Sequence, residues 1–368
     1  MINNISKRTA YVDIAKGIAI LAVVLLHADF VYPKLSFINI SAMLGWYWHV
    51  PVFFLIGGFF LKEERLLQPV SFIKGKFKSL YLLALYIYLP ATLLHNVLFQ
   101  LGWYSPDVVY GGKTIAEWDV KEYGIGIIKT LLCAGREPIM GAMWFVYALL
   151  FALCGYSIIC FIVNKCKWGG YIVPLILLAL QIVSCVATNV YGITIPRFSN
   201  AISAMLLLYI GQQLHGRLKV KFDNPYLFVA AILIVYESSL LIGPIALNHN
   251  EYKDVLQLSV GCTAALYAVC FISKKLEKCR IGKVLELCGR ESFYIMGLHI
   301  VGFKLCTMLL MSLGIIDGGL QYLMTPQLGN NVILLIVYTL FGLFFPIAFM
   351  YGFRKLKSFM SQNIHCAS

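Results

Sequence analysis

The chain has 368 residues, 60% of them hydrophobic and 13% charged, with a mean hydropathy of +0.80; a soluble domain carries about 25% charged residues, so a water-exposed globular fold is excluded. The net charge of +13 lies in short clusters between apolar runs rather than in one patch, which excludes nucleic acid as a partner. The eleven cysteines form no C-x-x-C pair and, like Cys154, Cys160, Cys262 and Cys270, mostly sit inside apolar stretches, so they indicate neither a zinc site nor a disulfide framework.

A helix needs about 20 apolar residues to cross the roughly 30 Å of hydrocarbon in a bilayer. Ten such runs are predicted, at 12–31, 41–61, 79–101, 141–163, 169–189, 199–216, 226–246, 255–273, 293–313 and 332–353. Lys7 and Arg8 ahead of the first run resemble a signal peptide, but no small-x-small cleavage site follows His27-Ala28-Asp29, so an uncleaved first membrane helix is expected. The longest connection, about 102–140, holds Asp107, Gly111-Gly112, Glu117, Asp119 and Glu122, with a short helix predicted at 123–133. The expected fold class is all-α, a polytopic membrane helical bundle of about ten transmembrane helices. It forms one integral membrane domain over 1–368, with 102–140 as an extracytoplasmic loop and no appended soluble domain.

Of the 30 lysines and arginines, 21 fall in loops on the side of the N-terminus and 7 in the opposite loops, while Lys16 and Lys304 lie inside predicted spans. Positive charge marks the cytoplasmic side, so both termini are expected to be cytoplasmic, in a cell (plasma or inner) membrane. A missed or invented helix would mix the two charge classes, and every predicted inner loop is basic.

Ionisable groups inside membrane helices are costly, so they mark either a functional site or a paired structural one. The first helix carries Asp13, Lys16 and His27. Asp13 and Lys16 are one turn apart, and Lys16 and His27, eleven apart, differ by about 20° around the axis and about 16 Å along it. One face thus holds a cation at one end and an imidazole at the other; snorkelling for Lys16 and a satisfied interface histidine for His27 is the competing reading. His49, in Trp46-Tyr47-Trp48-His49-Val50-Pro51, lies at a depth comparable with His27, although an aromatic belt kinked at Pro51 also accounts for the tryptophans. His95 near the end of the third helix is read as structural. For Glu237 and Lys304, both near mid-membrane, a buried ion pair is the preferred reading and a proton or ion pathway the alternative.

Four segments carry a resemblance. Arg8-x-x-Tyr11-Val12-Asp13-Ile14-Ala15-Lys16-Gly17-Ile18-Ala19-Ile20, closing with Val23-Val24-Leu25-Leu26-His27, resembles the opening of the acyltransferase 3 family of membrane acyltransferases, in its fucose O-acetylase-like and exopolysaccharide-modifying branch. His49-Val50-Pro51-Val52-Phe53-Phe54-Leu55-Ile56-Gly57-Gly58-Phe59 resembles the family's second helix, with Gly57 in place of the usual serine. Met143-Trp144-Phe145-Val146 resembles a later Trp-Phe-Leu motif, and Ser292-Phe293-Tyr294-Ile295-x-x-x-His299 a late Ser/Tyr/His segment with its tyrosine displaced.

The resemblance implies transfer of an acyl group, acetyl-CoA being the expected donor, from cytoplasmic acyl-CoA to a hydroxyl of a cell-surface glycan, exopolysaccharide or glycolipid. It implies a basic residue and a histidine eleven apart, Lys16 and His27, as the core of the site, with lysine where many members have arginine; Asp13 completes the expected catalytic group, organising the cytoplasmic approach with Lys16. Acyl transfer to an alcohol needs a base for the hydroxyl proton, and a neutral imidazole near pKa 6.5 suits that task for His27. His49, Trp144 and His299 are expected to shape the pocket. Lys74, Lys76 and Lys78 stand where other members carry an arginine pair and are assigned to coenzyme A phosphates, with topology markers as the equal alternative. Arg136 and Glu137 are candidates for contact with the sugar acceptor, with a surface ion pair as the preferred reading.

The rival function is a transporter or flippase of polysaccharide intermediates; carriers often show repeated halves or matching broken helices, and neither is visible. A noncatalytic scaffold for a polysaccharide synthase would leave Asp13, Lys16 and His27 without a purpose. No metal site is expected, because the histidines lack short ligand spacing. The partners expected are acyl-CoA, a glycan or lipid-linked sugar and membrane lipids, with no nucleic acid.

Overall fold

A computed structural model describes residues 9–33, 40–110, 113–322 and 325–366. Lys7, Arg8, Lys34 and Gly111-Gly112 lie outside the described residues. The regular structure of the described residues is nearly all helix. Helix α1 (Ala10–His27) stops at Ala28, whose extended backbone leads into strand β1 (Asp29–Phe30). A π turn at Ala42–Trp46 precedes α2 (His49–Phe59), and the short α3 (Glu63–Leu66) follows. Helix α4 (Pro69–Lys76) runs through a second π turn, Phe77–Tyr81, into α5 (Leu82–Leu93), which a break at Leu94 separates from α6 (His95–Gln100). The long connection holds a hairpin of β2 (Val109–Tyr110) and β3 (Lys113–Thr114), then α7 (Val120–Leu131). Asp119 caps α7 by accepting from the Glu122 backbone N–H at 2.7 Å, so the helix predicted at 123–133 starts and ends slightly earlier.

The remaining helices are α8 (Trp144–Lys165), α9 (Ile172–Asn189), α10 (Phe198–Gln212), α11 (Pro225–Leu241), α12 (Cys262–Leu276), α13 (Arg280–Arg290), α14 (Ser292–Ser312) and α15 (Val332–Cys366), with β4 (Gln327–Gly329) ahead of α15. Helices occupy all ten predicted runs. Among the described residues, six are long and apolar enough to cross a membrane: Ala10–His27, Pro138–Lys165, Ile172–Asn189, Gln257–Leu276, Ser292–Ser312 and Val332–Phe359. Met43–Phe59 and Pro225–Leu241 are apolar but shorter, the α5–α6 run is broken at Leu94, and α10 gives way to a π turn at Gln213–Arg217.

Helix α13 departs from expectation, since its residues were read as part of a basic loop. Gly282, Leu285 and Gly289 recur at helical spacing and form one buried stripe, while Arg280, Lys283 and Arg290 stay exposed. The stripe lies against α1 at backbone contact: a Cβ on Gly17 would collide with the Leu285 carbonyl, and one on Gly289 with the Asp13 carbonyl. Small residues permit such an approach between helices in lipid, where dispersion rather than water drives packing. At the other end of α1, β1 pairs in parallel with β4; Asp29 donates its N–H to the Pro326 carbonyl at 3.1 Å and Val31 to that of Gly329 at 2.6 Å.

The ion pair expected between Glu237 and Lys304 does not form. Glu237 is exposed on α11, whereas Lys304 is buried and donates to three backbone carbonyls, those of Trp103 (2.7 Å), Leu320 and Tyr322. An ammonium group has three N–H donors, so these acceptors satisfy it without a carboxylate.

Candidate active site

The N-terminal end of α1 opens on a cleft of about 340 Å³. Asp13 and Lys16 line it together with Lys76 from α4 and Arg290 from the end of α13. Lys16 Nζ lies 3.4 Å from Asp13 Oδ1 and 5.4 Å from the centre of the Phe60 ring. Asp13 is only 4% exposed, and its Oδ2 meets no hydrogen-bond partner among the described residues. Burial, followed by the nearby Arg65 charge, pulls the Lys76 ammonium below the usual lysine range. The rest of the cleft is apolar, with Phe53, Ile56, Phe145 and Met296 among its walls, and Gly57 lines it where a serine was expected.

Toward the other end of α1, histidines from three helices gather. The rings of His27 and His299 meet edge to face with centroids 5.0 Å apart. His49 follows Gly45 by one turn at the start of α2. Gly45 sets this level, because its backbone approaches Ala22 and Leu26 so closely that a Cβ would lie 2.9 Å from the first and 2.6 Å from the second. Each ring is anchored to a carbonyl about one turn earlier: His27 Nδ1 to Val23 (2.7 Å), His49 Nδ1 to Gly45, and His299 Nδ1 to Ile295 (2.9 Å) and Met296 (3.1 Å). A carbonyl only accepts, so Nδ1 carries the hydrogen in all three, and a neutral ring then offers its lone pair at Nε2. His299 is fully buried, and its Nε2 has no hydrogen-bond partner among the described residues. Met296 joins the two regions, being part of the cleft wall while its carbonyl holds His299.

The other candidates are placed differently. Trp144 is half-buried and is not in the cleft wall, where its neighbours Phe145 and Val146 stand. Lys74 and Lys78 are exposed, and only Lys76 of the three lines the cleft. Arg136 pairs with Glu122 at 3.0 Å, not with Glu137. Glu137 is fully buried, accepting from Tyr104 and contacting His95 Nδ1 at 2.8 Å, beneath Trp118 stacked on His95 with ring centroids 3.8 Å apart. That cluster braces the long connection, so the surface ion pair holds for Arg136, with Glu122 as its partner, and fails for the buried Glu137.

Arg290 is the site residue that the sequence left among topology charges. Its signal was positional, since it closes the Gly282, Leu285, Gly289 stripe and stands two residues before the Ser292 segment.

Cations grouped at one end of an apolar cleft suit an anionic ligand with a thin apolar arm, and a lone-pair imidazole nitrogen suits removal of a hydroxyl proton. No curated protein and no solved structure matches the chain. Residues 9–351 match the acyltransferase domain model of the acyltransferase 3 family, which covers the cationic cleft and all three histidines, and the chain belongs to this family of membrane acyltransferases.

Proposed function

We propose that the protein is a multi-pass O-acyltransferase that moves an acyl group, acetyl by preference, from cytoplasmic acyl-CoA to a hydroxyl of a cell-surface glycan, exopolysaccharide or glycolipid. The bilayer is the cell membrane, the chain crosses it ten times, and the N-terminal face of α1 is cytoplasmic, in keeping with the excess of Lys and Arg on that side. The observation that carries this reading is Met296, which belongs both to the wall of the cationic cleft and to the anchor of His299.

Lys16, Lys76 and Arg290 hold the donor's phosphates, Lys16 and Lys76 as point charges and Arg290 as a fork. The apolar walls exclude water from the pantetheine arm and its thioester. His27 Nε2 takes the proton of the acceptor hydroxyl as its oxygen attacks the thioester carbonyl. The C–S bond then breaks, and the departing thiolate receives the proton, giving an ester and free thiol. His49 and His299 position His27 and complete the pocket, and Asp13 fixes Lys16.

Purified protein in lipid nanodiscs, given acetyl-CoA labelled in the acetyl group, tests the proposal. Release of coenzyme A with label on a glycan is expected; export of glycan without use of the thioester would favour a carrier instead.

A further inference from the structure

A second cleft, of about 310 Å³, opens at the end of the bundle where α1 finishes, between the 316–322 segment, β4 and the start of α15. Its chemistry differs from that of the donor cleft: Asp317, Gln321 and Gln327 bring a carboxylate and two carboxamides, Tyr322 and Tyr338 bring aromatic rings, and among the described residues no lysine or arginine lines it. We infer that this cleft is the acceptor subsite and that it takes a neutral carbohydrate, an inference that rests on the acyltransferase reading above.

Two observations connect it to the histidines. β4, whose Gln327 and Leu328 line the cleft, pairs with β1, which begins two residues after His27. Tyr338, which is buried at its floor, packs against Phe303 with ring centroids 6.0 Å apart; Phe303 in turn contacts His299 at 5.8 Å and His299 contacts His27 at 5.0 Å. The Tyr338 hydroxyl is fixed by Thr307 at 2.7 Å, and Lys304 pins the wall through the Leu320 and Tyr322 carbonyls. A sugar offers hydroxyls that donate to carboxylate and amide oxygens and accept from amide N–H groups, and a C–H face that packs on aromatic rings. The Lys304 ammonium is spent on the Trp103, Leu320 and Tyr322 carbonyls rather than offered to a phosphate, and the single carboxylate argues against an anionic sugar.

The test uses full-length protein in nanodiscs, acetyl-CoA as donor, and methyl glycosides of glucose, galactose and N-acetylglucosamine as acceptors. Asp317 and Gln327 are exposed, so Asp317→Asn and Gln327→Ala are expected to fold. Each should raise the acceptor KM by about tenfold, the loss of one hydrogen bond to a charged or amide group, while the donor KM stays within about twofold. Acceptor KM unchanged in both variants would overturn the subsite while leaving the acyltransferase reading in place, and so would a wild type that hydrolyses acetyl-CoA yet acylates none of the glycosides. A wild type that consumes no acetyl-CoA at all, with or without glycoside, would overturn the acyltransferase reading and this subsite with it.

Discussion

His27 and His299 meet edge to face with ring centroids 5.0 Å apart, although they come from the first and the fourteenth helices. That contact makes their contributions interdependent. His27→Ala is expected to slow transfer by roughly 10²–10⁴-fold, the usual worth of a general base. His299→Ala should cost less, and the double variant should cost much less than the product of the two single effects. Initial rates of coenzyme A release check both statements, and multiplicative losses would contradict the coupling.

Neutralising Lys16, Lys76 or Arg290 should raise the KM for acyl-CoA with little change in kcat, because phosphate contacts are made equally in the ground and transition states. Lys74→Ala and Lys78→Ala should have smaller effects, since those side chains are exposed outside the cleft. Equal effects for all three lysines would return them to the role of topology markers.

The Lys76 ammonium, held below the usual lysine range by burial and by Arg65, predicts a pH dependence. A cation with a lowered pKa loses its charge earlier as pH rises, so donor affinity is present at neutral pH and declines on the alkaline side. In Lys76→Gln that alkaline decline should shift to higher pH, as read from the pH profile of the donor KM.

Gly17→Leu would drive a side chain into the Leu285 carbonyl and part α1 from α13. Overpacking of this kind costs about 1–3 kcal/mol, and it also moves Lys16, one residue away, relative to Arg290. Thermal unfolding in detergent should show the destabilisation, together with a raised donor KM that Leu285→Ala does not restore, because the clash is with backbone.

Lys304→Met should destabilise the protein by leaving the Trp103, Leu320 and Tyr322 carbonyls without their donor, at about 1–3 kcal/mol for each that finds no water. Glu237→Gln should leave stability unchanged, since Glu237 is exposed and is no partner of Lys304. Comparable losses in the two variants would revive the ion pair.

The helical runs were legible because hydrophobicity and length determine what enters a bilayer, and the depth match between His27 and His49 followed from helix rise alone. Helix α13 was hidden because its exposed Arg280, Lys283 and Arg290 read as loop charges, while its buried side offers mostly glycine and cysteine. Lys74, Lys76 and Lys78 were grouped by composition, yet residues two apart on a helix point about 200° from one another, so Lys76 cannot share a face with its neighbours. The partners of Lys304 were out of reach because backbone carbonyls leave no mark in a sequence. Glu137 was misplaced for a related reason: nothing local to it signals His95 or Tyr104, which reach it across more than thirty residues.

The Nδ1–H of His27 is committed to the main-chain oxygen of Val23. That oxygen cannot take the hydrogen away, so the imidazole has a single working nitrogen and cannot act as a two-ended conduit for protons across the bilayer. In the proposed transfer, whatever it removes from an alcohol must depart by Nε2, the same atom that received it.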